Sequence, residues 1–201
     1  MARRSMPVGV ILAGGGGRRI GGSKATVRLG GKPLISYPLE AMSLVLSEVV
    51  VIAKPDTELP SLPGVTVWVE PATPQHPLVG ITNALAFARS RSVLVCAGDL
   101  PFVTPELIVA LATADTGDAP AVIASRAGHI QPLLGCYEPL AADLLATAAT
   151  TADRPTREAV IAIGPRLLEV EDPDALFNVN APDDLFLAAA MLDRRRGARI
   201  G

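Results

Sequence analysis

Short aliphatic runs, each stopped by glycine, proline or charge and set apart by stretches of helical spacing, constrain this chain more than anything else in it. Val8–Leu12, Val49–Ala53, Val65–Val69, Val93–Ala97 and Ala121–Ala124 are four or five residues long and rich in β-branched side chains. Strands buried on both faces have this character. Between them, Pro33–Leu46, Leu78–Ser90 and Thr104–Ala114 repeat apolar residues every third or fourth position. Thr104-Pro105-Glu106 is a helix start: a capping hydroxyl, proline at the first helical position, then an acid in the first turn. This βαβα rhythm predicts an α/β fold, a mostly parallel central sheet with helices on both faces. After Arg126 the order changes, with a strand over Pro132–Tyr137 and helices over Leu140–Thr150 and Thr156–Ile163. A strand over Leu167–Val170 and a closing helix over Pro182–Arg194 follow. With no long linker or repeat, 1–201 reads as one domain with an ordered core over about 7–193 and an arginine-rich tail.

Composition agrees with a packed domain. Hydrophobic residues make up 49% and charged residues 19%, but aromatics only 3%, so Val, Leu, Ile and Ala must fill the core. The longest apolar run, Leu185 to Leu192, has eight residues, against the roughly 20 a bilayer requires. Arg3-Arg4 before Val8–Ala13 mimics an export signal, but the apolar stretch is too short and reads as the first strand. Net charge is −2, yet six arginines sit in the terminal tails, and Ser5–Asp193 alone carries about −8. So acidic a body, poor in aromatics, has neither the field nor the stacking platforms for general nucleic-acid binding. The C-terminal arginines read as a frayed, solvated end. Cys96 and Cys136 lack metal spacing and read as reduced thiols in a cytoplasmic protein, Cys96 as a small core residue.

Ligands of parallel sheets sit beyond the carboxyl ends of the strands, so the loops there hold the chemistry. The first runs from Leu12-Ala13-Gly14-Gly15 to Lys24, with six glycines and three cations directly after a strand. Glycines let several N–H groups turn onto one concave surface, and Arg19 and Lys24 add charge against a polyphosphate. The alternative is a plain surface turn. The loop is not GxGxxG, because the third glycine would fall on Arg19 or Ile20, and Ile52-Ala53-Lys54 stands where the ribose-binding acid belongs. It is not Walker A, since Pro33 replaces the hydroxyl after Gly30-Gly31-Lys32.

Asp99 falls just past the strand Val93–Ala97 in a Gly98-Asp99-Leu100-Pro101 turn. It is either a turn former or a carboxylate for Mg²⁺, which takes one or two acids plus substrate phosphates. Asn178 and Asn180, two apart on an extended segment, share a side. They either bond a substrate or cap the last helix. Gln131 beside Pro132 is a further polar candidate. Asp183-Asp184 suit the positive end of that last helix. His76 and His129 have no catalytic company and read as surface histidines.

Leu12 to Lys24 matches the nucleotidyltransferase signature Leu-Ala-Gly-Gly-x-Ser-x-Arg-Met-Gly-x-x-Lys except for Gly17 and Ile20. Gly31-Lys32-Pro33-Leu34, Pro77-Leu78-Val79-Gly80-Ile81, Gly98-Asp99-Leu100-Pro101, Gln131-Pro132-Leu133 and Phe177-Asn178-Val179-Asn180 follow in order. With these, the chain resembles the molybdenum cofactor guanylyltransferase family from Val8 to Leu185. The resemblance implies a single Rossmann-like nucleotidyltransferase domain that moves GMP from GTP to the terminal phosphate of molybdopterin, with or without its molybdenum. It implies Mg²⁺ on Asp99, with Arg19, Lys24 and Asp99 as catalytic residues. Leu12, Ala13, Gly14, Gly15, Lys24, Glu70 and Asp99 would bind the nucleotide, and Gln131, Asn178 and Asn180 the acceptor. It also implies transient contacts with molybdoenzymes or cofactor-handling proteins. The chain departs from the family pattern at Ile52, where an asparagine follows strand two, and at Glu70, the nearest acid after strand three. His76 replaces a glycine. Alternatives are a cytidylyl or sugar-phosphate nucleotidyltransferase of this fold, or a nucleotide-binding partner protein without turnover.

Overall fold

In the computed structural model, residues 5–13 and 25–197 are described. The chain runs β1 (Val8–Leu12), β2 (Arg28–Leu29), β3 (Lys32–Pro33), α1 (Ser36–Ser43), β4 (Val49–Ala53), β5 (Thr66–Val69), α2 (Pro77–Phe87) and β6 (Val93–Ala97). It continues through α3 (Pro105–Thr113), β7 (Ala121–Arg126), β8 (His129–Tyr137), α4 (Leu140–Thr151), α5 (Thr156–Ala162), β9 (Arg166–Glu169) and α6 (Pro182–Gly197). A 3-10 turn, Pro173–Leu176, precedes α6.

Seven strands form one sheet in the order β5-β4-β1-β6-β8-β7-β9. All run parallel except β8, which is antiparallel to both β6 and β7. The alternation of side chains divides the core into two layers. Ile11, Val51, Leu94 and Cys96 face one layer with Met42 of α1 and Ile108 and Leu111 of α3. Val10, Leu12, Val50, Ile52 and Val95 face the other with Leu78 and Ile81 of α2 and Leu145 of α4. The expected helices on both faces are present. A third cluster joins Leu29, Leu34, Phe102, Val179, Ala188 and Met191, seating α6 against the small β2–β3 hairpin.

Several expectations need correction. The expected helix over Pro33–Leu46 begins only at Ser36, because Pro33 pairs with Arg28 in a hairpin turned by Gly30 and Gly31 at φ 54° and 89°. β5 is the sheet edge, not a strand buried on both faces: Val69 is 54% exposed. His76 is no bare surface histidine; its Nδ1 accepts the Leu78 amide as the α2 cap. His129 opens β8 with the Arg157 guanidinium 3.3 Å from its Nδ1. Nor are the C-terminal arginines a frayed tail up to Gly197, since α6 continues through them. Arg195 stacks over the Phe102 ring at 4.8 Å and pairs with Asp172 at 2.9 Å. The expected start of α3 holds, with the Thr104 hydroxyl accepting the Leu107 amide.

Candidate active site

In this strand order β1 has β4 on one side and β6 on the other, so the direction of winding reverses between β1 and β6. A crevice opens at that point beyond the carboxyl ends of the strands. It is a cleft of about 410 Å³. Leu12 and Ala13 line it from β1, Asp99 from the turn after β6, Gln131 from β8, and Asn178 and Asn180 from the segment before α6. Six expected site residues from four separate stretches therefore meet in one place. Gly14, Gly15, Arg19 and Lys24 lie outside the described residues.

Backbone bonds hold the two walls at the Asp99 turn. The Gly98 amide donates to the Leu12 carbonyl at 3.1 Å, and the Val179 amide donates to the Asp99 carbonyl at 3.0 Å. One bond fixes the turn to the start of the glycine loop; the other fixes it to the asparagine segment. A Cβ on Gly98 would stand 3.3 Å from the Leu12 carbonyl and 3.3 Å from Ile35 Cγ1. Gly98→Val should therefore push the Asp99 turn away from β1 and weaken nucleoside triphosphate binding about tenfold or more. Calorimetric titration beside a thermal melt reads this; unchanged affinity in a folded variant would show that the close approach is dispensable.

Asp184 caps α6 through its Oδ2, which accepts the Asn180 and Ala181 amides at 2.8 and 2.9 Å. This supports the structural reading of the acid pair. Asn178 Oδ1 is buried with no hydrogen-bond partner, on a residue that lines the cleft. An acceptor oxygen left in that state is suited to a ligand N–H or O–H. Cys96 is fully buried; burial, with the Asp99 charge adding to it, pushes its thiol far above the usual range. It is a core residue and no nucleophile. Among the described residues no group of three or more His, Cys, Asp or Glu side chains gathers to hold a metal. One carboxylate lining the cleft still fits Mg²⁺, which takes most of its ligands from phosphates and water.

Glu70 lies apart from the cleft lining, directly after the edge strand β5. Glu70 is 5% exposed, with Oε1 3.4 Å from Lys54 Nζ. β5 stands three strands from β6, which at about 4.8 Å per strand sets Glu70 roughly 14 Å from Asp99 along the sheet edge. An extended nucleotide, with phosphates at one end and base at the other, has that shape. Ile52 is not the residue that follows strand two. It lies inside β4, paired with Leu12, 1% exposed, and its side chain fills the core. Lys54 is the residue at the sheet edge. Sequence reading also passed over Thr156 and Arg157, which line the far wall. Their helix was legible, but nothing in its pattern marks its first turn as facing a cleft.

A family model described as the MobA-like NTP transferase domain matches residues 9–166. The chain belongs to that family. As a member of the MobA-like NTP transferases it is a nucleotidyltransferase enzyme. A probable molybdenum cofactor guanylyltransferase of Chloroflexus aggregans is 34% identical, over 93% of this chain and 95% of that protein. The molybdenum cofactor guanylyltransferase of Cereibacter sphaeroides is also 34% identical, over 92% of this chain and 96% of that protein. Among solved structures, molybdopterin-guanine dinucleotide biosynthesis protein A of Archaeoglobus fulgidus superposes with a TM-score of 0.74 at 26% identity, covering 92% of this chain and 98% of that one. The 2-C-methyl-D-erythritol 4-phosphate cytidylyltransferase of Thermus thermophilus shares the fold, at 24% identity and a TM-score of 0.67. Among the described residues no helix is long and apolar enough to cross a membrane.

Proposed function

We propose that this transferase moves GMP from GTP to the terminal phosphate of molybdopterin, metal-loaded or not, and releases pyrophosphate. The observation that carries the reading is the union, at the reversal of strand order, of the β1 end that opens the glycine loop with the Asp99 turn and the Asn178–Asn180 segment. GTP lies over the loop from Leu12, Ala13, Gly14 and Gly15, with its base toward Glu70. The acceptor occupies the wall of Gln131, Asn178 and Asn180. An acceptor phosphate oxygen bonds the α-phosphorus, the bond to the β-phosphate oxygen breaks, and pyrophosphate leaves. A phosphate nucleophile is already ionised at neutral pH, so the protein's work is alignment and charge compensation. Arg19 and Lys24 compensate charge building on the leaving group. Asp99 would hold Mg²⁺, whose chemistry is to neutralise phosphate oxygens. The two buried free thiols suit a reducing compartment, and we place the reaction in the cytoplasm. After transfer the nucleotide-bearing cofactor passes to a molybdoenzyme or cofactor-handling protein.

The deciding experiment is calorimetric titration of GTP, CTP, ATP and UTP, each with and without Mg²⁺. GTP alone should bind tightly, and more tightly with Mg²⁺. A preference for CTP would move the substrate to the cytidylyl reading, and no binding at all would favour the partner protein without turnover. Glu70→Ala should raise KM for GTP with little change in kcat; an unchanged KM would remove Glu70 from the site.

A further inference from the structure

Lys54 is a cation with no part in the reaction above, yet its side chain is only 10% exposed. Its ammonium donates to the Pro71 carbonyl at 2.7 Å and the Pro74 carbonyl at 3.2 Å, and faces Glu70 Oε1 at 3.4 Å. Two of its donors are hydrogen-bonded to carbonyls, and the ammonium is ion-paired with the carboxylate. The other oxygen of the same carboxylate is in the opposite condition: Glu70 Oε2 is buried and has no hydrogen-bond partner. It lies beside the bare Cα of Gly80. A Cβ there would stand 3.3 Å from Oε2 and 3.0 Å from the Cδ2 of Leu12, which lines the cleft.

A buried carboxylate with one oxygen held and the other left bare is costly, and such an arrangement is kept where a ligand completes it. We infer that Lys54 is a positioning residue for the donor base, holding Glu70 Oε1 and the loop carbonyls so that Oε2 is presented unspent to a base edge rich in N–H donors. This rests on the nucleotide site proposed above. Guanine, with its ring N–H beside an exocyclic amine, offers two adjacent donors to such an oxygen. Adenine and cytosine offer an amine beside an acceptor nitrogen. Lys54 acts on the base through Glu70, since its own donors are engaged.

The pair also sets a pH limit. Among the described residues Lys54 is the charged group that faces Glu70; β1 turns Leu12 toward it, α2 turns Gly80, and the His76 ring nitrogen is engaged by the Leu78 amide. Burial pushes the Glu70 carboxyl above its ordinary range, and the Lys54 ammonium draws it part of the way back. An anion is required for N–H recognition, so GTP binding should fail as pH falls through that raised value. Removing the ammonium leaves burial unopposed and moves the failure to higher pH.

The test measures GTP affinity from neutral to mildly acidic pH for the wild type, Lys54→Met, Glu70→Gln and the double variant, with thermal melts as a check on folding. Lys54→Met should bind GTP about tenfold more weakly at neutral pH, because the carboxylate and the loop carbonyls are no longer held in place. Its acidic limb should lie at higher pH than that of the wild type, and Glu70→Gln should abolish the limb. Where Lys54→Met does not fold, the double variant, which has no buried charge, decides: its GTP affinity should equal that of Glu70→Gln. A folded Lys54→Met with wild-type affinity and limb would overturn the inference alone, provided Glu70→Gln still weakens GTP. A double variant that binds far more weakly than Glu70→Gln would also overturn it. Glu70→Gln binding GTP like the wild type would overturn both the inference and the placement of the base.

Discussion

Asp99→Asn should lower pyrophosphate release at saturating GTP by about two to three orders of magnitude while leaving the melting temperature nearly unchanged. The asparagine has the same size and shape. Backbone bonds help fix the turn: Gly98 amide to Leu12 carbonyl, Leu100 amide to Ala97 carbonyl, and Val179 amide to Asp99 carbonyl. They survive the substitution. What is lost is one negative charge in the cleft, which in the proposed mechanism is the carboxylate for a divalent cation. Turnover is read by released pyrophosphate, and Mg²⁺ dependence by titrating the cation against both proteins. A variant with wild-type turnover would take Asp99 out of the catalytic machinery and return it to the turn-forming role.

The largest loss of stability should come from Ile11→Ala. Ile11 is fully buried at the centre of β1, between β4 and β6, in the layer shared with α1 and α3. Truncation removes three carbons and leaves a void that strands bonded on both sides close poorly, at a cost of about 2–5 kcal/mol. For a domain of this size each kcal/mol lowers Tm by about 2–4 °C, so a fall of roughly 4–20 °C is expected by calorimetry or circular dichroism. The effect should also reach the cleft. A Cβ on Gly98 would lie 3.6 Å from Ile11 Cγ2, so that methyl supports the Asp99 turn from below. GTP binding at a temperature where the variant is folded should weaken in parallel; a variant that melts within about 2 °C of the wild type would show that the layer closes around the void.

The central strands were legible because burial on both faces leaves only aliphatic residues: β1, β4 and β6 fall where the runs Val8–Leu12, Val49–Ala53 and Val93–Ala97 place them. β5 looks the same as a string of letters, yet it is an edge, because neighbours in a sheet are a tertiary fact that no local run encodes. The Gly30-Gly31 pair before Lys32-Pro33 was a hairpin signal in plain view, hidden by the apolar spacing of the helix that follows. Of the candidate site, Ala13, Asp99, Asn178 and Asn180 were nameable because they sit in loops beside strands or proline, Leu12 because it ends β1 where the glycine loop begins, and Gln131 because it precedes a proline in β8. Thr156 and Arg157 were not, since an exposed first turn of a helix has no periodicity to mark it. Ile52 falls inside the run that marks β4, and its pairing with Leu12 puts its side chain in the core. Arg195 looked like tail charge until Phe102 and Asp172, distant in sequence, were seen beneath it.

The bond from the Val179 amide to the Asp99 carbonyl has a bearing on how the molecule is made. β1, β4, β5 and β6 are consecutive parallel strands from the first half of the chain, and on a ribosome they emerge early and can begin to pair. Asp99 then waits for eighty more residues to be translated before its carbonyl meets the amide that completes the turn. α6, which packs on that segment through Ala188 and Met191, is made later still. A nascent chain stalled short of it lacks the bond that ties the Asp99 turn to the segment before α6.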